Sequence, residues 1–556
     1  MAWGALSRAD LLQRVEAGTP LAGTKIEGLD LSGCSLVGVD FAGVIVTAVV
    51  FSHANLSGAR FRGATLMNCD FSDARLEGAV FAGAVGMENA FERAKLSGSN
   101  WVGAKLPDSS LAGVDLSGVD LSGAILSACD MKGANLAGAS LNKTVFAISD
   151  LAEASLVGSQ LQGAILAKAT LTNADLSGAN LTGAALVEAD LQGANFAQAE
   201  LSDAVFALSD LRGASMSGAN MPRCSVIKAD AREVDFRGAE LNGAVFAYAD
   251  LRGAQLPAAE ISEVMFSGAN LSGVDFSRTR LRECLFNDAT LEGASFGATT
   301  VSECILNGAK AGGADFGQAK LEKLFLAKAD LSHADLSGVT LYAVKMMEAD
   351  LRGAKLPRVF PECSLANTKL DRDALAGCDL EGTDLEGIDF SGWDFREANL
   401  KRASFRGGKL IGTKFDGATL EWTNFDAADL TEATFAKANL TYSNFAGATL
   451  AGADLKGHDL TQAIFEKADL RRADLSRTNL ARVNLTDADL RGANLTQAHC
   501  VSCILNYAEL EGAVFHETVF HCDLSHVNYD HLTFMGMDMS RCMFVESDLE
   551  GRDLRG

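Results

Sequence analysis

Large apolar residues recur at every fifth position through most of this chain. Between Leu21 and Leu356 there are 68 such positions, and the only ones without a large apolar side chain are Gly86, Ala231 and Ala311. In an α-helix, which turns by about 100° per residue, side chains at this spacing would not form one stripe. In a straight β-strand they would alternate between opposite faces. The spacing therefore predicts a solenoid, in which the chain turns a corner every five residues around a central axis.

The repeated unit is clearest at residues 174–183, which read ADLSG followed by ANLTG. With the large apolar residue as position i, a small residue stands at i−2, Asp or Asn at i−1, a polar residue at i+1 and often Gly at i+2. Two outward columns at i−1 repeat every twenty residues, which indicates four repeats per coil. The apolar column contains Ile125, Val145, Ile165, Val205, Val245, Met265, Leu285, Ile305 and Phe325. The acidic column contains Asp130, Asp150, Asp190, Asp210, Asp230 and Asp250.

The run ADLSGANLTGAALVEADLQGANF, residues 174–196, resembles the pentapeptide repeat family. This resemblance covers about residues 21–554. It implies an all-β fold, a right-handed, four-sided parallel β-helix in which i and i−2 point inward while i−1, i+1 and i+2 face solvent. The repeats predict about 27 coils after a short N-terminal helix, a rod of roughly 130 Å at about 4.8 Å per coil.

Departures from the repeat predict the domain organisation. Ser7 and Asp10 resemble a helical capping box ahead of the first repeat. One residue is missing between Phe520 and Leu524, which shifts the register of the last coils. The predicted parts are an N-terminal helical cap at 1–20, a first β-helical run at 21–356, a Pro-containing break at 357–364, a second run at 365–520, and register-shifted C-terminal coils at 521–556. A kink or a bulged loop is expected at the break, and either the solenoid continues through it or the two runs are set at an angle.

The composition argues against several classes of function. The chain has 72 Asp and Glu residues against 48 Lys and Arg residues, and this net charge of −24 argues against direct binding to nucleic acid or an anionic membrane. The longest apolar run, residues 44–51, is too short to span a bilayer. Because no secretory signal is visible, a cytoplasmic location is expected. We find no nucleotide-binding or hydrolase motif, and predict neither enzymatic activity nor a cofactor.

Eleven of the twelve cysteines stand at i−2, where a small buried residue is expected. His499, Cys500 and Cys503 form an HCxxC string, but the register directs the histidine outward and the cysteines inward, so no metal site is predicted. The register also stacks Cys503, Cys522 and Cys542 in one column with Cα atoms about 4.8 Å apart, which is within the Cα range of a disulfide. A reducing cytoplasm would keep them as thiols.

The apolar column is the most informative departure from the family pattern, in which i−1 is usually Asp, Asn or Thr. Soluble monomers rarely leave an apolar strip of this length bare. The column therefore favours a non-enzymatic scaffold or adaptor that presents the strip to a protein partner or to a second copy of itself. The alternative is that Val and Ile reflect only the β-propensity of a flat face.

The acidic column supports a second hypothesis. Some members of the family resemble DNA in shape and charge and bind topoisomerases, so the resemblance implies a DNA-mimicking inhibitor or protector of gyrase. The alternative is a solvated repeat consensus. Residues 11–31, LLQRVEAGTPLAGTKIEGLDL, are similar to the lead-in of pentapeptide repeat proteins associated with bacterial type VI secretion, which implies effector loading as a setting. A secreted effector is a third class.

The last repeats are rich in methionine, at Met535, Met537, Met539 and Met543. An uncapped β-helical edge carrying soft apolar side chains predicts that something covers it. An end-to-end homodimer is the simplest candidate.

Overall fold

A computed structural model of the chain describes residues 6–528 and 539–547. It contains two compact units, Met1–Ser295 and Phe296–Gly556. Within the described residues the fold is all-β apart from one helix, and neighbouring coils pair in parallel about twenty residues apart. The predicted β-helix is therefore confirmed. Among the described residues, no helix has the length and apolar character that a membrane span requires.

Helix α1 (Arg8–Glu16) begins with the predicted capping box. The Ser7 hydroxyl accepts a hydrogen bond from the N–H of Asp10 at 3.2 Å, and the Asp10 carboxylate accepts one from the N–H of Ser7 at 3.3 Å. Leu11 is buried, and the Arg8 guanidinium donates to the sulfur of Cys34 at 3.4 Å. These two contacts attach the helix to the first coil.

In the first unit the extended strands form parallel ladders. They are β1 (Lys25–Glu27), β2 (Ile45–Thr47), β3 (Thr65–Met67) and β4 (Val85–Met87), paired in that order, followed by β5 (Glu260–Ser262) paired with β6 (Arg280–Arg282). Most other coils of this unit are joined through single paired residues, one on each side of the coil.

In the second unit the extended strands also pair in parallel. They are β7 (Thr300–Ser302), β8 (Lys320–Glu322) and β9 (Thr340–Tyr342), paired in that order, and β10 (His499–Ile504), which pairs in parallel with β11 (Val519–Asp523).

The backbone of each repeat joins the coils on both sides of it. The N–H of Leu176 donates to the carbonyl of Asn195 in the following coil at 2.7 Å, and the N–H of Asp175 donates to the carbonyl of Ala154 in the preceding coil at 2.9 Å. This alternation satisfies the backbone on every side of the solenoid without long strands.

The corner is a tight turn whose sequence preferences follow from its geometry. The N–H of Ala179 donates to the carbonyl of Leu176 at 3.1 Å, and Gly178 at i+2 has φ +63°, as a type II turn requires. Asp175 at i−1 accepts a hydrogen bond from the N–H of Ser177 at i+1, with 3.0 Å between nitrogen and Oδ1. Glycine at i+2 and Asp or Asn at i−1 are therefore residues that stabilise the corner.

The inward positions form the core, as the resemblance implied. Residues at i and i−2, such as Leu176 and Ala174, are fully buried. Phenylalanine rings stack between coils: Phe41 and Phe61 lie with centroids 4.9 Å apart and planes at 2°, while Phe51 meets Phe41 edge to face at 6.1 Å. Phenylalanine occupies position i at every tenth residue from Phe41 to Phe91, and these contacts show that the pattern serves core packing.

The predicted break at 357–364 contains a coil one residue short in the structure. Phe360, four residues after Leu356, is buried as an inward residue, and Ser364 pairs with Lys345, only nineteen residues away. The sequence pattern missed this position because the spacing changes from five to four at that point. The ladder of the second unit continues through the segment.

A second shortened coil lies where a missing residue was predicted at the end of the second run. In the β10–β11 pair, His499 lies opposite Val519, twenty residues on, whereas Ile504 lies opposite Asp523, nineteen residues on. The register shift is therefore located inside this strand pair.

Candidate protein-binding face

The apolar column of the first unit is continuous from coil to coil. Each of its residues pairs with the residue twenty positions on, from Ile125 with Val145 to Met265 with Leu285, and the column includes Ala185 and Ser225. The i+1 residues beside it are also mostly apolar: Ala147, Ala167, Val187, Ala207, Ile227 and Ala247. We call these two columns the apolar face. Eight steps of about 4.8 Å give the face a length of about 38 Å.

The side chains of the apolar face are partly open to solvent. Ile165 and Met265 are 42% and 36% exposed, and Val145, Val205 and Val245 are half-buried. In the second unit, Ile305 pairs with Phe325, which is 50% exposed, and Lys345 follows Phe325 in the column.

The apolar column removes a hydrogen bond that stabilises other corners. Elsewhere, Asp or Asn at i−1 accepts from the N–H at i+1, as Asp175 does for Ser177. Val145 and Val205 have no acceptor atom in their side chains, so they cannot do this for Ala147 and Ala207. A hydrogen bond of this kind contributes about 0.5–1.5 kcal/mol. The apolar face is therefore built at some cost to the stability of its own corners.

Three corner residues beside the apolar face were missed by sequence reasoning. Ile148, Leu208 and Tyr248 stand at i+2, a position often taken by glycine, and they are 66%, 54% and 64% exposed. Their φ angles are +64°, +61° and +59°. A left-handed conformation costs a residue other than glycine about 1–2 kcal/mol, and it is least suited to a β-branched one such as Ile148. The available signal was a large apolar residue at a glycine position.

An ion pair lies between two of these corner residues. Lys168 and Glu188, which occupy the same corner column between Ile148 and Leu208, are joined with 3.3 Å from Nζ to Oε2. Both side chains are well exposed, so the pair contributes little to stability. The edge of the apolar face therefore presents large apolar side chains on either side of a neutralised charge pair.

The acidic column also pairs from coil to coil in the first unit, with Thr170 between Asp150 and Asp190, and its second half is paired with arginine. Arg212, Arg232 and Arg252, at i+1 of the same repeats, each lie 2.6 Å from the carboxylates of Asp210, Asp230 and Asp250, in that order. Their guanidinium groups hold the pKa values of these three carboxyls below the ordinary range.

The carboxylates of the first half of the acidic column accept hydrogen bonds from the backbone, as those of the second half also do. Asp130, Asp150 and Asp190 each accept a hydrogen bond from the N–H two residues on, at 3.1, 2.9 and 3.3 Å. The predicted acidic ladder is thus compensated by arginine over its second half.

The C-terminal features singled out in the sequence are only partly described. In the part of the chain that the structure describes, no group of three His, Cys, Asp or Glu residues could hold a metal ion. Met543 is 56% exposed, and Met539 is half-buried. Met535 and Met537 lie outside the described residues, so the predicted C-terminal contact stays a prediction.

The family model described as pentapeptide repeats (8 copies) matches residues 47–83, 91–127, 129–360 and 375–522, well over half of the chain. The chain belongs to the pentapeptide repeat family. The comparison of this pentapeptide repeat protein with curated proteins returned no match.

Several solved structures are similar to this pentapeptide repeat protein. HetL, a protein of Nostoc sp. strain PCC 7120 involved in heterocyst differentiation regulation, is 29% identical over 45% of this chain and 90% of its own, with a TM-score of 0.21. Rfr23 from Cyanothece 51142 is 26% identical over 26% of this chain and 88% of its own, with a TM-score of 0.12. QnrB1, a plasmid-mediated fluoroquinolone resistance protein, is 21% identical over 34% of this chain and 85% of its own, with a TM-score of 0.19.

Proposed function

We propose that this pentapeptide repeat protein is a non-enzymatic scaffold that binds a protein partner through the apolar face of its first unit. The observation that carries the proposal is the set of exposed apolar corner residues, Ile148, Leu208 and Tyr248, held at positive φ beside that face. Large apolar side chains kept exposed beside an apolar strip support a functional role, because soluble monomers rarely leave such a patch bare.

Two features of the apolar face lower the stability of its corners. The i−1 column lacks the side-chain acceptors of the other corners, and the i+2 column carries large residues where glycine is favoured. Neither change improves the core, because both positions point outward. Covering the face with a partner would recover about 25 cal/mol for each Å² of apolar surface removed from water.

The flat, ladder-paired geometry of the face suits an extended apolar surface on the partner. A second copy of this chain is one such partner, through this face or through the C-terminal coils. The cytoplasm, and effector loading in bacterial type VI secretion, are the settings that we infer from the sequence.

DNA mimicry with gyrase as the target is the alternative function, and the arginine pairs weigh against it. A mimic of the DNA backbone needs an uninterrupted line of negative charge, since one charge recurs about every 1.7 Å along a duplex. Arg212 lies 2.6 Å from Asp210 and 3.7 Å from Asp230, so it reduces the negative potential between these two coils.

The proposal is tested with a triple variant, Val205→Glu, Val245→Glu and Leu285→Glu, used in a pull-down from host lysate with the native mass recorded. These side chains point outward, so the variant is expected to fold, while three buried charges would weaken binding by well over tenfold. The expected result is loss of a specific partner, or of a dimer, that the wild type retains.

The matched control places three glutamates on the opposite side of the first unit: Ser155→Glu, Ser215→Glu and Gln255→Glu. It should bind as the wild type does. The proposal is wrong if both variants keep every partner and the same mass. If binding survives the apolar-face variant, and Asn at Asp190, Asp210 and Asp230 abolishes an effect on gyrase supercoiling, the alternative function is correct.

A further inference from the structure

Three thiols meet inside the second unit. Cys500 and Cys503 belong to β10 and Cys522 belongs to β11, and all three are buried. The three thiols influence one another's pKa values, and the Cys522 thiol donates to the backbone carbonyl of Cys500 at 3.1 Å. Cys69 and Cys129 in the first unit also donate to backbone carbonyls, but no neighbouring thiol affects their pKa values.

The shortened coil accounts for this convergence. Val501 pairs with His521 and Ile504 pairs with Asp523, so Ser502 and Cys503 together stand opposite Cys522 alone. In a regular ladder, equivalent Cβ atoms of neighbouring coils would stay about 4.8 Å apart, which exceeds the roughly 3.5–4.5 Å of a disulfide. An irregularity of this kind changes the direction of side chains locally and allows a closer approach.

The cluster also changes the acidity of one buried thiol. Hydrogen bonds from Cys500 and Cys522 lower the pKa of Cys503, whereas burial raises the pKa of Cys129 to about 12. When protonated, the Cys503 sulfur donates to the carbonyl of Leu480 at 2.7 Å, so both forms of this thiol have partners. Thiolate is the form that reacts with oxidants.

We propose that Cys503 and Cys522 form an oxidation site at which a hydroperoxide joins β10 to β11 by a disulfide. The Cys503 thiolate attacks one peroxide oxygen, the O–O bond breaks, and hydroxide leaves from a hydrogen peroxide substrate. The resulting sulfenic acid condenses with the Cys522 thiol, an S–S bond forms, and water leaves. In total, two thiols and one peroxide give one disulfide and two waters. Cys522 is the resolving thiol because it lies directly opposite Cys503.

The full-length folded protein is treated with hydrogen peroxide at neutral pH, quenched, alkylated under denaturing conditions and analysed by mass. The expected early product has lost two hydrogen atoms and regains them with a dithiol reductant. It should form roughly tenfold faster than any oxidation of Cys69 or Cys129, because these two thiols are almost entirely protonated. Chymotrypsin separates Cys503 from Cys522, since Tyr507 and Phe515 lie between them, so the bond can be assigned.

Serine variants decide between the outcomes. They are expected to fold, because the chain already has serine at i−2: the buried Ser149 hydroxyl donates to the carbonyl of Leu126 at 2.7 Å. Cys503→Ser should abolish the fast reaction, whereas Cys500→Ser should keep the disulfide and Cys129→Ser should leave its rate unchanged. The proposal is overturned if no disulfide forms in the folded protein, if the bond joins Cys500 to Cys503, or if Cys69 and Cys129 react as fast.

Discussion

At the scale of single residues, buried polar side chains at i−2 share two kinds of acceptor. Thr144 donates to a carbonyl of the preceding coil at 2.8 Å, and Ser159 donates to the carbonyl of Leu156, in the preceding repeat, at 2.7 Å. His458 reaches both kinds, with Nε2 at 2.7 Å from the Phe435 carbonyl and Nδ1 at 2.9 Å from the Leu455 carbonyl. Hydroxyl and thiol groups are thus tolerated inside the solenoid because backbone carbonyls accept their hydrogen bonds, and the half-buried imidazole of His458 lies between two such carbonyls.

The corner residues beside the apolar face allow a test in which stability and binding change in opposite directions. Ile148→Gly and Leu208→Gly should each raise the free energy of unfolding by about 1 kcal/mol, because glycine accepts positive φ, less the backbone entropy that it loses. The same changes should weaken binding of the partner. Urea unfolding and an affinity measurement on the same samples check both effects.

Alanine at these positions is the matched control. Ile148→Ala removes the exposed side chain and retains the left-handed strain, so it should weaken binding without the gain in stability. A loss of stability in both glycine variants would show that the apolar side chains support the fold.

At the scale of elements, one exception to the five-residue pattern has a steric cause. Gly86 in β4 pairs with Leu66 in β3, and a Cβ atom at Gly86 would overlap the carbonyl oxygen of Leu66. The exceptions Ala231 and Ala311 are fully buried, so they are small residues in ordinary inward positions. A pattern of residue types cannot separate these two cases.

Substitution of Gly86 tests this interpretation. Gly86→Ala should lower the free energy of unfolding by about 3 kcal/mol, because backbone atoms of two coils would have to move apart. Gly83→Ala is the control: Gly83 has φ +65° and open space where the Cβ atom of alanine would lie, so its substitution should cost only about 1 kcal/mol. Equal costs in urea unfolding would contradict the steric explanation.

At the scale of the whole molecule, hydrogen bonds to carboxylates recur along the described chain and lower their pKa values. Beside Arg396, the pKa of Asp394 falls to about 2 from an ordinary value of 3.8. Arginine likewise lowers the pKa values of Asp210, Asp230 and Asp469. A lowered carboxyl pKa contributes stability above its ordinary value, and this contribution is lost as the pH falls toward the folded value.

The protein should therefore lose thermal stability between about pH 4 and pH 2. In this range the carboxylates lose their negative charge, so the positive charges of the 48 Lys and Arg residues are no longer balanced and repel one another. Melting followed by circular dichroism across this range checks the prediction. Asp230→Asn should lower the melting temperature at pH 7 and reduce its fall in acid. A melting temperature that stays constant down to pH 2 would show that the carboxylate bonds contribute nothing.

Much of the fold could be predicted from the sequence because its cause is local and repeated. The five-residue spacing predicted the corner, the twenty-residue columns predicted four sides, and Ser7 with Asp10 predicted the start of α1. The shortened coil at Phe360 was missed, since a change of spacing beside two prolines resembles an interruption. The corner residue Ile148 was missed because the pattern treats i+2 as a turn position and gives no weight to a large side chain there.

The sequence by itself determined the coil, the inward positions and the two outward columns, because each follows from which side chain must avoid water at a regular spacing. Only the tertiary structure decided which outward column has its charge neutralised by arginine and which thiols lie close together. The arginine pairs of Asp210 and Asp230, and the approach of Cys503 to Cys522, depend on the register between neighbouring coils. A shift of one residue changes that register without changing the period of the repeat.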